Sequence, residues 1–376
     1  MTKETYIKAI NQVIYLSGCA VNGVVPDLNK FQDIDLENIY KAAQKHSLTA
    51  IVGYALESAG IFDKRFVQAK AKSIRKITVM EIDKEKLFQR MEQEKIRYAP
   101  LKGIIIKELY PSIGLRQMSD FDILFDSKYS QKVRDIMLEL GFSCESFGKH
   151  NHDVYFKQPV SNFEMHGRLF NDTHKKEFRE YYRDVEKRLI KDNLNSFGYH
   201  FGNNDLYIYL TAHEYKHYHG SGTGLRSLLD TYVIWKKLGD ELDESYIISE
   251  TKKLGIDTFE QKTRQLALNL FGNGQLTDEY RKMFDYIIFS GTYGTLKNNI
   301  ENSVKNNGGG KKGKLKFVTQ KLFLPMDNIK SYYPFYYKHK ILLPVLFFYR
   351  LGKAATIKRK DTINKLKILR KTNDTK

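Results

Sequence analysis

Apolar positions in the first 95 residues recur at helical spacing. Tyr6, Ile10, Val13 and Ile14 predict one helix; Ile39, Tyr40, Ala43 and Leu48 predict helix between Asp35 and Leu56; a long helix follows from about Lys64 to Lys95. The pattern then shortens. Tyr98–Leu101 reads as a strand, Ile104–Leu109 as a helix, and Tyr110-Pro111-Ser112-Ile113-Gly114 as a turn-rich loop. The apolar run Met118, Phe121, Ile123, Leu124 and Phe125 stops at Asp126-Ser127, as a buried strand does. Tyr129–Leu140 is an amphipathic helix closed by Gly141. Further strands start at Phe142, cover Val154–Lys157, and carry Phe163 to His166 beyond the turn Pro159-Val160-Ser161-Asn162. Phe170 to His200 carries both charge signs and predicts a largely helical connector. Asp205 is expected to N-cap a helix containing Leu206, Ile208 and Leu210. The glycine-rich loop 220–224 leads into another helix at Leu225, and Ser245 to Ser290 is helical throughout.

These elements predict an α+β fold, with a small mixed sheet flanked by helical regions. The expected divisions are an N-terminal helical cap over 1–95, a core over 96–170, and a helical domain closing a cleft over 171–302. A flexible linker over 303–314 (with the low-complexity Asn306–Lys314 run) and a basic, aromatic segment over 315–376 complete the chain.

Composition changes this picture in two places. The apolar fraction of 41% and charged fraction of 28% are those of a soluble globular chain, and the two cysteines, Cys19 and Cys144, make no disulfide framework. With no secretory pattern at the N-terminus, a cytoplasmic location is expected. The net charge of +18 is concentrated at one end, because residues 301–376 hold 19 Lys and Arg against 4 Asp and Glu. The basic character therefore belongs to the tail, not to the sheet.

The chemistry centres on Asp120 and Asp122. Two apart on a strand, their side chains share a face. Two buried like charges repel unless a cation lies between them or one is protonated. Hard divalent ions such as Mg²⁺ take such carboxylates together with substrate phosphates. Gly103, at the turn after Leu101-Lys102, would let backbone amides approach a phosphate. Arg116 either binds triphosphate oxygens or pairs with one of the aspartates. Glu164 supplies a third carboxylate on a later strand, with His166 on the same face. His150 and His152 share a face if extended, and read either as phosphate or substrate contacts or as a solvated strand end.

The blocks LKG (101–103), LYPSIGLRQMSDFDILF (109–125), FEMHGRLF (163–170), HEYKH (213–217) and GLRSLLD (224–230) resemble a bacterial family of uncharacterised nucleotidyltransferases, in the DNA polymerase β-like nucleotidyltransferase superfamily. The resemblance runs from about Lys95 to Trp235, and its specific part is the block around Arg116, Asp120 and Asp122. It implies a nucleotidyltransferase palm and transfer of a nucleoside monophosphate from an NTP to an acceptor (a protein, RNA, sugar or lipid). It implies Mg²⁺ or Mn²⁺ on Asp120, Asp122 and Glu164. It places Lys102, Gly103, Arg116, His166, His213, His217 and Arg226 around the nucleotide. The superfamily's usual Gly-Ser turn is replaced here by Lys102-Gly103-Ile104.

Two features carry rival interpretations. His213-Glu214-Tyr215-Lys216-His217 matches H-E-x-x-H, in which two histidines on one helix face bind zinc and the glutamate acts as a base. The tail's Tyr, Phe and Lys ensemble is expected first to pack on the helical domain, then to contact an anionic membrane surface, then nucleic acid. A non-catalytic membrane-surface or partner-binding protein acting through that tail is the alternative to an enzyme.

Overall fold

The computed structural model describes residues 1–31, 33–148, 151–171, 174–273, 276–356 and 358–372. The chain opens with four helices, α1 (Lys3–Asn22), α2 (Leu36–Lys45), α3 (Thr49–Ser58) and α4 (Lys64–Gln93). Each follows from its sequence. Thr2 caps α1 by accepting the amide of Thr5, Asp35 caps α2 through the amide of Asn38, and Asp63 caps α4 through Arg65. The predicted 35–56 helix is split by Ser47, whose positive φ ends α2 before α3 begins.

The sheet combines β1 (Tyr98–Leu101), β2 (Phe121–Phe125), β3 (Ser143–Ser146), β4 (His152–Lys157) and β5 (Ser161–His166), in the order β1-β2-β5-β4-β3. The short α5 (Gly103–Ile106) follows β1, and α6 (Ser130–Glu139) joins β2 to β3. All pairings are antiparallel except β2 with β5, which is parallel and sets Asp122 level with Glu164. The sheet is therefore mixed, as expected. Phe121, Ile123, Phe163 and Met165 form its buried side against Met80, Leu87 and Met91 of α4 and Val133 and Ile136 of α6.

Beyond the sheet come α7 (Lys176–Tyr181), β6 (Leu189–Lys191), β7 (Tyr199–Phe201), α8 (Asn203–Tyr218), α9 (Leu225–Leu238), α10 (Glu244–Lys253), α11 (Asp257–Leu268) and α12 (Asp278–Ser290). The helical connector expected over Phe170–His200 is replaced in its second half by the β6–β7 ribbon. Glu92 of α4 organises it by accepting the amides of Phe197 and Gly198 and the hydroxyls of Ser196 and Tyr98. Asp205 does not cap α8. Gly202 holds that position, and Asp205, in the first turn, pairs with Arg188 at 3.1 Å.

The first three helices and the helices after residue 200 share a single core. Ile10, Val13 and Ile51 lie in one apolar cluster with Ile208, Leu229 and Ile287. His46 is buried at the centre of this junction. Its Nδ1 accepts the amide of Leu225, its Nε2 faces the Tyr6 hydroxyl at 3.0 Å, and Tyr6 donates to the carbonyl of Ile288.

The last helices are α13 (Leu296–Asn306), α14 (Gly310–Leu322), α15 (Met326–Tyr332), α16 (Pro334–Lys338), α17 (Leu343–Ala355) and α18 (Arg359–Lys371). The flexible linker expected over 303–314 is a helix–turn–helix instead. Gly308 and Gly309 make the turn at positive φ, and Gly313 seats α14 against α13, since a Cβ there would stand 2.3 Å from the carbonyl oxygen of Val304. The expectation that the tail aromatics pack inward fails for half of them. Phe317 is buried with Ile300, Val304 and Leu369, but Phe323, Tyr332, Phe335, Phe348 and Tyr349 are exposed. No helix among the described residues is long and apolar enough to cross a membrane.

Candidate functional site

The period-2 geometry of the sheet builds the site. On the face opposite Phe121 and Ile123, Asp122 and Glu164 are neighbouring rungs of the parallel ladder, with Asp120 just before β2. His152 and His166 are paired across β4 and β5 on the same face, with ring centroids 4.9 Å apart. α8 lies over this face and contributes Tyr209, His213, Lys216 and His217; α9 contributes Arg226 and Asp230. Together they enclose a cleft of about 340 Å³. All ten residues singled out from sequence line it, namely Lys102, Gly103, Arg116, Asp120, Asp122, Glu164, His166, His213, His217 and Arg226. A second cavity of about 380 Å³ opens between Arg97, Asp126, Arg183 and Glu186, and those carboxylates and histidines do not line it.

The Asp122 carboxylate is the most committed group. Its Oδ1 accepts from the Lys102 ammonium at 2.5 Å and lies 2.8 Å from His166 Nε2. Burial alone would raise its pKa, but Lys102 and His166 hold it well below the usual carboxylate range. Lys102 is raised in turn, its own burial outweighed by Asp122. Among the described residues no cation pairs directly with Asp120, and Lys102 offsets its surroundings only in part. Burial, then the charges of Asp122 and Glu164, push its carboxyl up to about 6. Three carboxylates thus crowd one face, and a cation bound between them would relieve their repulsion.

Glu164 Oε2 stands 3.5 Å from His152 Nε2 and 3.6 Å from His166 Nε2. Donor atoms of these three residues lie within 4.8 Å of one another, a spacing that one metal ion can bridge. His152, left between two interpretations by its sequence, therefore faces the site. His150 lies outside the described residues.

Two expectations change in detail. Arg116 is held by an aspartate, but by Asp230 of α9 and not by Asp120 or Asp122. Its Nε and Nη2 each donate to Asp230 at 2.8 Å, and the Tyr110 hydroxyl donates to the same carboxylate at 2.8 Å. Arg226, four residues before Asp230, reaches instead to the carbonyl of Gln117 at 3.2 Å. Gly103 has a packing reason to be glycine, because a Cβ would stand 2.5 Å from Met118 Cε and 2.6 Å from Arg116 Nη1. The close approach expected of a phosphate is made there by the chain's own side chains.

Lys102 has a backbone φ of 49° and ψ of −120°, a conformation that L residues rarely adopt. That geometry ends β1 abruptly and aims the ammonium back at Asp122.

The H-E-x-x-H pattern is on a helix, with the two Nε2 atoms 3.2 Å apart. Among the described residues, no third His, Cys, Asp or Glu joins them in a group able to hold a metal. Burial, then the Asp230 charge, pushes Glu214 up to about 8, so at neutral pH it is largely protonated and unfit as a zinc hydrolase's base. Burial and neighbouring lysines keep His213 and His217 neutral, the latter at about 3, and bring Lys216 down to about 8. This wall presents neutral donors and one responsive ammonium to the carboxylates opposite.

Sequence reasoning missed Tyr209 and Lys216 as site residues, and the role of Asp230 as the partner of Arg116. Tyr209 was within reach, because Tyr209, His213 and His217 repeat every four residues on one helix face. Asp230 was not, since its partner Arg116 is 114 positions away.

Comparison with curated proteins and with solved structures finds no match. The sequence model of a family described as uncharacterised nucleotidyltransferase matches residues 32–272, which include the sheet, the carboxylate face, α8 and α9. The chain belongs to that nucleotidyltransferase family.

Proposed function

We propose that the protein is a metal-dependent nucleotidyltransferase that moves a nucleoside monophosphate from an NTP to an acceptor, releasing pyrophosphate. The observation that carries this is the convergence of Asp120, Asp122 and Glu164 on one sheet face beneath a wall of neutral imidazoles and Lys216. The donor set fits a divalent cation. Three carboxylates share the face, and the Asp120 carboxyl is raised partly because two other negative charges stand close by.

Asp120, Asp122 and Glu164 would hold Mg²⁺ or Mn²⁺, with His152 and His166 as nitrogen donors beside Glu164. A bound cation supplies charge neutralisation at the triphosphate and favours an ionised acceptor oxygen. The chain's own groups do the rest. Lys102 and Lys216 face the triphosphate oxygens, with Lys102 exchanging part of its pairing to Asp122 for phosphate. His213 and His217, neutral and joined through their Nε2 atoms, can release that shared N–H to phosphate without adding charge. Arg226 and the Gly103 edge of the cleft bound the nucleotide. The Arg116–Asp230 fork fixes α9 against the loop before β2, and so sets the cleft width. In the transfer, the acceptor oxygen bonds to the α-phosphorus and the bond from that phosphorus to the pyrophosphate oxygen breaks. The acceptor's proton passes to a carboxylate oxygen, a role we assign to Glu164.

The test is label transfer from each of the four α-³²P NTPs, with Mg²⁺ or Mn²⁺, into a cell extract separated into protein, RNA, lipid and sugar. Label that disappears in the Asp120→Ala/Asp122→Ala variant supports the proposal and indicates the acceptor class. No label in any fraction, with no metal-dependent NTP binding, refutes it.

A further inference from the structure

The C-terminal helices carry an inference independent of nucleotide chemistry. α17 is turned inside out relative to an ordinary surface helix. Its arginine faces inward, where Arg350 donates to the carbonyls of Lys321 and Leu322 at 2.6 and 2.9 Å and so closes the C-terminus of α14. Leu346 is buried, and Phe347 stacks on Phe323 with ring centroids 5.0 Å apart. The outward stripe is apolar. Val345, Phe348 and Tyr349 follow the i, i+3, i+4 spacing of one helical face, Ile341 stands exposed in the turn just before the helix, and Ile341 and Phe348 are 88% and 69% exposed.

Cations border this stripe. Lys353 Nζ lies 5.9 Å from the Tyr349 ring, and Lys358, Arg359 and Lys360 follow α17 directly. The region from residue 301 onward holds 19 Lys and Arg against 4 Asp and Glu. We propose that this face seats the protein on an anionic lipid surface, with α17 lying in the plane of the interface and its flanking lysines and arginines on the headgroups. At 13 residues α17 is about 20 Å long, too short to span a bilayer, which fits a helix that lies flat. Phe348 and Tyr349 could stack on a base, but Ile341 and Val345 could not, whereas an acyl layer takes up all four, so the stripe as a whole suits lipid better than RNA. A second copy of the chain would bring another strongly positive tail against the first, and that charge opposes pairing.

Sedimentation of the full chain with phosphatidylcholine vesicles, with and without phosphatidylglycerol, tests this. Binding is expected only when phosphatidylglycerol is present, and it should weaken as salt rises. Phe348→Ser/Tyr349→Ser should weaken it about tenfold or more at unchanged circular dichroism, since both side chains are exposed and the fold does not depend on them. Lys358→Gln/Arg359→Gln should weaken it as well, and more at low salt than at high. Failure to bind phosphatidylglycerol vesicles, or equal binding by the Phe348/Tyr349 variant, overturns the proposal. Retention of RNA in place of vesicles, or a dimer lost in that variant without vesicle binding, overturns it in favour of those partners. None of these readouts uses nucleotide, so they stand apart from the transferase assay.

Discussion

Removing Asp230 leaves the Arg116 guanidinium without its carboxylate partner in a buried position, and the loss should be large. Arg116 is 9% exposed and makes two 2.8 Å bonds to Asp230, which also takes the Tyr110 hydroxyl. Breaking a buried pair from one side is expected to destabilise by about 3 to 5 kcal/mol. Each kcal/mol lowers Tm by about 2 to 4 °C in a chain of a few hundred residues, so Asp230→Ala should melt roughly 6 to 20 °C lower. Arg116→Met/Asp230→Leu removes both charges and restores apolar packing, and should recover most of that loss. Thermal unfolding followed by circular dichroism measures both. An Asp230→Ala variant that melts within a degree or two of the parent would refute the structural role of the fork. So would a double variant no more stable than the single. Either result would return Arg116 to the pool of groups free to bind phosphate.

His46 is held neutral by burial, its pKa lowered to about 3, whereas in the unfolded chain it takes up a proton near 6.5. The unfolded state therefore binds more protons between those values, and stability, fully present above pH 6.5, is lost as pH falls; by pH 4.5 the loss should be about 2 to 3 kcal/mol in urea titrations, and His46→Gln should flatten it. Glu164→Gln and Asp122→Asn should each lower label transfer at least a hundredfold while leaving circular dichroism unchanged, as read by initial rates with the acceptor fraction that takes label. His152→Ala should cost more activity with Mn²⁺ than with Mg²⁺, because imidazole nitrogen contributes more to the former; equal losses would remove His152 from the metal's surroundings. Gly313→Leu should destabilise the α13–α14 contact by about 1 to 3 kcal/mol, since no side chain fits against the Val304 carbonyl.

What could be read from sequence was local and periodic. Strand alternation placed Asp120 and Asp122 on one face, and the D-x-D, F-E-M-H and H-E-Y-K-H blocks named the carboxylates of that face and the histidines opposite. Where the decisive partner was distant, the reading stopped. The β6 and β7 strands are three residues each, too short to show a period, and the group that organises them, Glu92, is about a hundred positions away. Asn306–Lys314 resembled a linker because its composition is that of one, yet the absence of a side chain at Gly313 is what lets two helices cross closely. The tail misled in the opposite sense. Its aromatics have core chemistry, and only the inward turn of Arg350 reveals that the opposite face of α17 is the apolar one.

The shared core of the first and later helices also bears on how the chain is made. The Tyr6 hydroxyl closes on the carbonyl of Ile288, 282 positions later, and the sheet is synthesised between them. At about 5 to 20 residues per second, the Tyr6 hydroxyl waits roughly 15 to 60 seconds on the ribosome before its partner carbonyl emerges. For much of that interval Ile10, Val13 and Ile51 have nothing from the later helices to cover them. The nascent N-terminal helices are thus a natural client for a holding chaperone, whereas the sheet, complete by His166, can form while translation continues.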